Sequence, residues 1–190
     1  MKNYKQIIPK KYHNVSYEKD VVDGIKSIVT SQISERAGLY LYGGAGVGKT
    51  HIACAIATKI LDSGIDVVFY NTGDFLEKLR EEFSSGTKDD DDYRGLFRET
   101  MDFEGVIIFD DIGSEKVSEW AIERLYLIIN KKWEDVMPII FTSNVDMEIL
   151  SARLGDRIAS RVKGMCEIIH LEGQDKRINM NIKNNETIIY

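Results

Sequence analysis

Residues 43–50 read Gly-Gly-Ala-Gly-Val-Gly-Lys-Thr, and this octet restricts the fold more than any other stretch of the chain. It fits G-x-x-x-x-G-K-[ST], a phosphate-cradling loop that needs a strand before it and a helix after it. The apolar run Leu39-Tyr40-Leu41-Tyr42 supplies the strand, and a helical pattern opening at His51 supplies the helix. Gly43, Gly44, Gly46 and Gly48, with Ala45 and Val47 among them, let the backbone curl and turn its N–H groups toward phosphate oxygens. The helix start adds unpaired donors and partial positive charge at the same spot, where His51 joins the loop as a nucleotide contact. Lys49 then reaches the β- and γ-phosphates of a bound nucleotide, and the Thr50 hydroxyl ligates Mg²⁺. Glycine makes up about 7% of an average sequence, so chance assembles these four fixed positions in roughly one such chain per hundred or fewer. A glycine-rich turn that binds nothing is therefore set aside.

The 190 residues suffice for one domain with a full core and are few for two. Nothing approaches the run of about eighteen apolar residues that a membrane span needs, and no signal-type apolar segment opens the chain, so no membrane partner and a cytoplasmic location are expected. Cys54 and Cys166 lie far apart without metal-ligand spacing and read as small buried residues. The net charge of −6 argues against a protein that coats nucleic acid indiscriminately. It leaves room for a local basic face.

Along the chain, 1–17 is a basic arm with Lys2, Lys5, Lys10 and Lys11, and Val21, Val22, Ile25, Ile28, Val29 and Ile33 predict a helix from Asp20 to Glu35. After the phosphate loop a helix runs to about Ser63-Gly64, followed by a strand at Val67-Val68-Phe69-Tyr70 and an amphipathic helix marked by Phe75, Leu76, Leu79 and Phe83. The four aspartates that end at Asp92 project in different directions and repel one another, so this segment reads as a solvated loop rather than a metal site. Tyr93, Leu96, Phe97 and Met101 resume a helix.

Val106-Ile107-Ile108-Phe109 is a continuous apolar strand ending in Asp110-Asp111, and the carboxyl ends of strands are where open α/β sheets bind ligands. Two charges there are costly unless a cation or a reaction employs them. Asp110 is assigned to the Mg²⁺ shell and Asp111 to polarising the attacking water, with helix capping as the structural alternative. Ser118 caps the next helix, which buries Ala121, Leu125, Ile128 and Ile129, and Trp120 and Trp133 read as packing residues. Pro138-Ile139-Ile140-Phe141 runs into Thr142-Ser143-Asn144, where Asn144 is either a turn residue or an amide beside the γ-phosphate. One helix is expected from Met147 to Met165, carrying Arg153, Arg157, Arg161 and Lys163, with a fifth strand at Cys166–Leu171. Alternating strands and helices make this α/β with a parallel sheet of about five strands between helices.

Four segments together resemble the AAA+ ATPase core of bacterial replicative helicase loaders of the DnaC and DnaI type, within the IstB-like ATP-binding group. They are the loop with its lead-in Leu41-Tyr42, the run Phe109 to Glu115, Thr142-Ser143-Asn144, and Leu154-Gly155-Asp156-Arg157-Ile158-Ala159-Ser160-Arg161. The lead-in Ile8-Pro9-Lys10-Lys11-Tyr12 is similar as well, and the match spans about 8–177.

The resemblance implies a P-loop NTPase domain over 18–172, a polar tail over 173–190, Walker A at Gly43 to Thr50, Walker B at Asp110 and Asp111, and Asn144 as the sensor-1 residue. It makes Arg161, with Arg157 as rival, the finger inserted into a neighbouring subunit's site, and Arg177 a sensor-2 candidate. It implies an ATP-dependent oligomer that binds single-stranded DNA, through helices in the Phe75 to Met101 region, and a hexameric replicative helicase. Nineteen residues follow Leu171, so a helical lid is expected to be missing or minimal. The loop begins at residue 43, so the N-terminal helicase-gripping module of such loaders is lost, trimmed away or replaced by another grip. A transposition helper of the IstB type, working on duplex DNA with a transposase, has much the same core. A small-molecule kinase and a non-hydrolysing adaptor are the readings from other classes.

Overall fold

The computed structural model describes residues 8–12, 38–84, 95–114 and 117–173. The helix expected from Asp20 to Glu35, the acidic run ending at Asp92, and Arg177 lie outside these residues. Five strands occur, β1 (Gly38–Gly43), β2 (Val67–Asn71), β3 (Val106–Asp110), β4 (Ile139–Ser143) and β5 (Cys166–Leu171). The helices are α1 (Lys49–Asp62), α2 (Thr72–Ser84), α3 (Leu96–Asp102), α4 (Glu119–Glu134), α5 (Met147–Leu154) and α6 (Asp156–Met165). A short 3-10 turn at Lys10–Tyr12 sits against α1.

The strands pair in parallel in the order β2-β3-β4-β1-β5. From β1 the chain crosses to the far edge, returns through β3 and β4 to lie beside β1, and then places β5 on β1's other side. That reversal at β1 opens a crevice at the carboxyl ends of the strands.

Alternation along each strand divides the interior into two layers. Leu39, Leu41, Val106, Ile108 and Ile140 face α1, where Ala53, Ala55, Ile56 and Ile60 meet them. Tyr40, Ile107, Phe109, Ile139 and Phe141 face the other way, toward buried residues of α2 to α6. Burial on both faces explains why these strands read as unbroken apolar runs. Cys54 and Cys166 are both fully buried, as expected; burial, followed by the nearby Asp110 charge, pushes the Cys54 thiol up to about 12, and burial raises Cys166 as well.

Ser118 caps α4 as expected, its side-chain oxygen accepting from Ala121 N at 3.4 Å. The single helix expected from Met147 to Met165 is two, divided at Gly155. Gly155 has φ 90°, and a Cβ there would meet nothing within 4 Å, so backbone conformation breaks the helix rather than crowding. Far from β1, the buried Lys132 ammonium donates to the carbonyls of Met101 (2.9 Å) and Phe103, satisfying acceptors that the end of α3 leaves open. Burial holds its pKa below the usual lysine value.

Candidate nucleotide site

Register brings the chemistry-bearing strand ends level. Tyr42 lies beside Ser143 and Phe109 beside Phe141, so Gly43, Asp110 and Thr142-Ser143-Asn144 gather at one rim. Around the loop, Gly46 and Gly48 have φ of 75° and 108°. A Cβ on Gly43 would come within 2.2 Å of the Leu171 carbonyl oxygen, so β5 passes too close for any side chain there. Gly48 caps α1 without a side-chain hydrogen bond, which leaves the first N–H groups of the helix to a ligand.

Lys49 is only 7% exposed, and a buried ammonium requires acceptors. Its Nζ donates to the carbonyls of Gly43 (2.9 Å) and Gly44 (2.7 Å) and to Asn144 Oδ1 (2.7 Å). The Asn144 Nδ2 donates in turn to Asp111 Oδ1 at 2.7 Å, so one amide joins the phosphate-loop lysine to the second acid. This geometry exists because β4 is inserted between β1 and β3. An asparagine at the end of either neighbour could not bridge them.

Thr50 Oγ1 donates to Asp110 Oδ1 at 2.8 Å, and Thr142 Oγ1 donates to the same oxygen at 2.6 Å. Among the described residues no trio of His, Cys, Asp or Glu is placed to hold a metal ion. A hydroxyl and one carboxylate side by side do fit Mg²⁺, which binds through one or two protein oxygens together with phosphate and water.

Asp111 has φ 62°, a left-handed conformation that aspartate tolerates better than most side chains. Three contacts hold it: its N–H donates to Thr142 Oγ1 (2.9 Å), and its Oδ1 accepts from Asn144 and from the Ser114 hydroxyl. The Arg153 guanidinium donates to the Gly113 carbonyl, fastening the turn that carries Ser114 to α5. Thr142, Ser114 and Arg153 were not singled out for these contacts from sequence. For Ser114 the signal is its place three residues after Asp111; for Thr142 and Arg153 the partners are distant in sequence.

Of the remaining candidates, His51 is exposed on the first turn of α1, with the Tyr12 ring edge-on to it at 6.3 Å. Ala45 is exposed and Val47 buried within the loop. Arg157 and Arg161 are not drawn into this cluster; their contacts run to α4. No helix among the described residues is long and apolar enough to cross a membrane.

A family model described as IstB-like ATP binding protein matches residues 11–184. The chain belongs to this family. A relative of this IstB-like chain, the replicative helicase loader DnaI of Bacillus subtilis (strain 168), is 24% identical over 170 residues, covering 83% of this chain and 52% of that protein. The putative ATP-binding protein of insertion sequence IS5376 from Geobacillus stearothermophilus is 26% identical over 160 residues, 81% of this chain and 61% of that one. This IstB-like chain therefore spans between half and two thirds of the length of these curated relatives. Among solved structures, that of the DnaC helicase loader superposes with a TM-score of 0.74 at 26% identity, covering 86% of this chain and all of that one. The fold is that of the AAA+ P-loop NTPases.

Proposed function

We propose that this IstB-like protein binds ATP with Mg²⁺ and hydrolyses it to ADP and phosphate within an ATP-dependent oligomer. In that form it acts in DNA replication as a helicase loader, engaging single-stranded DNA and a hexameric replicative helicase. The observation that carries the hydrolytic part is the line from Lys49 through Asn144 to Asp111, each step 2.7 Å. It sets a phosphate-binding cation, a water-orienting amide and a carboxylate in sequence.

In this reading residues 43–48 and the start of α1, with His51 beside them, hold the phosphates through backbone N–H groups. Thr50 and Asp110 hold Mg²⁺, which when bound neutralises charge on the phosphate oxygens. Asp111 polarises the attacking water while Asn144 orients it. Arg161 or Arg157 reaches the site of an adjoining protomer, because a guanidinium stabilises charge on a transferring phosphoryl group and neither arginine turns toward its own loop. Arg177 stays a candidate for a second nucleotide sensor. The loader assignment draws on the likeness to DnaI and to the DnaC structure. The likeness to the IS5376 protein and the name of the family model support a second reading, a transposition helper on duplex DNA with a transposase.

The test is affinity capture from native cell extract with ATP present, followed by mass spectrometry. Recovery of a replicative helicase, with hydrolysis stimulated by single strands, is the expected result. Recovery of a transposase with stimulation by duplex DNA replaces the loader reading by the helper one. Asp111→Asn is expected to retain ATP binding and to lower turnover by about 10² or more. Unchanged turnover in that variant removes Asp111 from its role.

A further inference from the structure

Arg157 and Arg161 lie one helical turn apart on α6, and the side chains facing them on α4, Tyr126, Asn130 and Glu134, share the same spacing of four. The Arg157 guanidinium carbon lies 3.7 Å from the centre of the Tyr126 ring. That of Arg161 lies 5.6 Å from the same ring and 5.1 Å from the Trp133 ring. Arg161 Nε donates to Asn130 Oδ1 at 3.0 Å, the Tyr126 hydroxyl donates to that same oxygen at 3.2 Å, and Asn130 Nδ2 donates to Glu134 Oε1 at 2.9 Å. The result is one connected row in which both guanidinium groups are oriented by ring faces and an amide. Arg157 remains exposed and Arg161 half-buried.

We infer that Tyr126 and Asn130 are positioning residues for the trans-acting arginine, Arg161 or Arg157, fixing both guanidinium groups before a neighbour's nucleotide arrives. The inference rests on the trans reading given above and deepens it. Arginine has many rotamers, and ordering it at the moment of reaction subtracts from the stabilisation it gives the transition state. A guanidinium already laid on an aromatic face and hydrogen-bonded at Nε has lost that freedom in advance. The Tyr126 ring matters more than its hydroxyl, because it alone touches both arginines. Nothing in the row touches the nucleotide loop of its own chain, so the effect belongs to turnover in the assembly and not to ATP binding.

The experiment measures kcat and KM for ATP on the full chain under assembling conditions. Tyr126→Leu is expected to lower kcat about tenfold, within the range that loss of a cation–π contact allows, with KM for ATP held within about twofold. Tyr126→Phe, which keeps the ring, is expected to stay within about twofold of the unaltered protein. Mixing Tyr126→Leu protomers with Asp111→Asn protomers, which carry the row intact but are expected to hydrolyse slowly, is expected to give more turnover than the two samples measured apart. A misfolded variant cannot be restored in this way. A Tyr126→Leu protein with unchanged or raised kcat, an equal loss in the Phe variant, or no gain on mixing overturns the positioning role. If the double change Arg157→Ala with Arg161→Ala itself leaves turnover at its original rate, the trans reading falls and the positioning role with it. If that double change is slow while Tyr126→Leu is not, only the positioning role falls.

Discussion

The rim at the ends of β1, β3 and β4 and the face shared by α4 and α6 solve opposite problems. At the rim, charged groups meet within one chain: Lys49, Asn144, Asp111, Ser114, Thr142, Asp110 and Thr50 form a continuous hydrogen-bonded chain of mixed sign. On the α4–α6 face two positive groups lie side by side, steadied by aromatic rings and one amide, and among the described residues no carboxylate pairs with either guanidinium. A positive pair whose partners among the described residues are aromatic rings and an amide is suited to meet negative charge elsewhere. The first region ties its charged groups to one another and the second does not, and the trans reading proposed above rests on that difference.

The sharpest way to break this contrast is to remove both arginines. Arg157→Ala with Arg161→Ala is expected to cut turnover of the assembled protein by about 10³ while leaving ATP affinity of the dilute protein alone. Steady-state hydrolysis and equilibrium titration with a fluorescent ATP analogue check the two halves, and a matching drop in affinity would erase the distinction. Lys49→Ala works from the other side. It is expected to weaken ATP binding by about a hundredfold, since charge-assisted hydrogen bonds contribute about 1.5–3 kcal/mol each.

A smaller effect sharpens the picture within the rim. Thr142→Val keeps the shape of a side chain only 1% exposed, but leaves the Asp111 N–H without its acceptor and Asp110 without one donor. Urea unfolding is expected to show a loss of about 2 kcal/mol, and turnover to fall by about tenfold as Asp111 loosens. The mildest effect lies on the buried side of α1. With Cys54 raised to about 12 by burial and then by Asp110, its unfolded form loses a proton first as pH rises. Its contribution to stability is complete below about 9 and declines as pH climbs toward about 12. Cys54→Ala should flatten that part of an alkaline unfolding profile.

How much of this could be seen in the chain follows from the range of the interactions. The loop at 43–50, the acids closing β3 and the amide closing β4 are each written within a few residues, because a strand end and its next turn form one local unit. The three central strands, β1, β3 and β4, are visible for a similar reason, since burial on both faces leaves continuous apolar runs. Gly155 escaped notice as a break because apolar spacing continues on both sides of it, through Leu150, Leu154, Ile158 and Val162. The ties from Thr142 to Asp110 and from Arg153 to Gly113 join residues 32 and 40 positions apart, and no local pattern encodes such distances. Tyr126 and Asn130 carried an ordinary helical signature, and only the packing of α4 on α6 gave them their neighbours.

The bond between Lys49 and Asn144 has one further consequence. Two loop carbonyls and the amide that closes β4 share the lysine's charge, so a single ammonium ties the first strand to the fourth at the mouth of the crevice. Through that amide Lys49 and Asp111 are joined by side chains alone, with no backbone atom in the line between them.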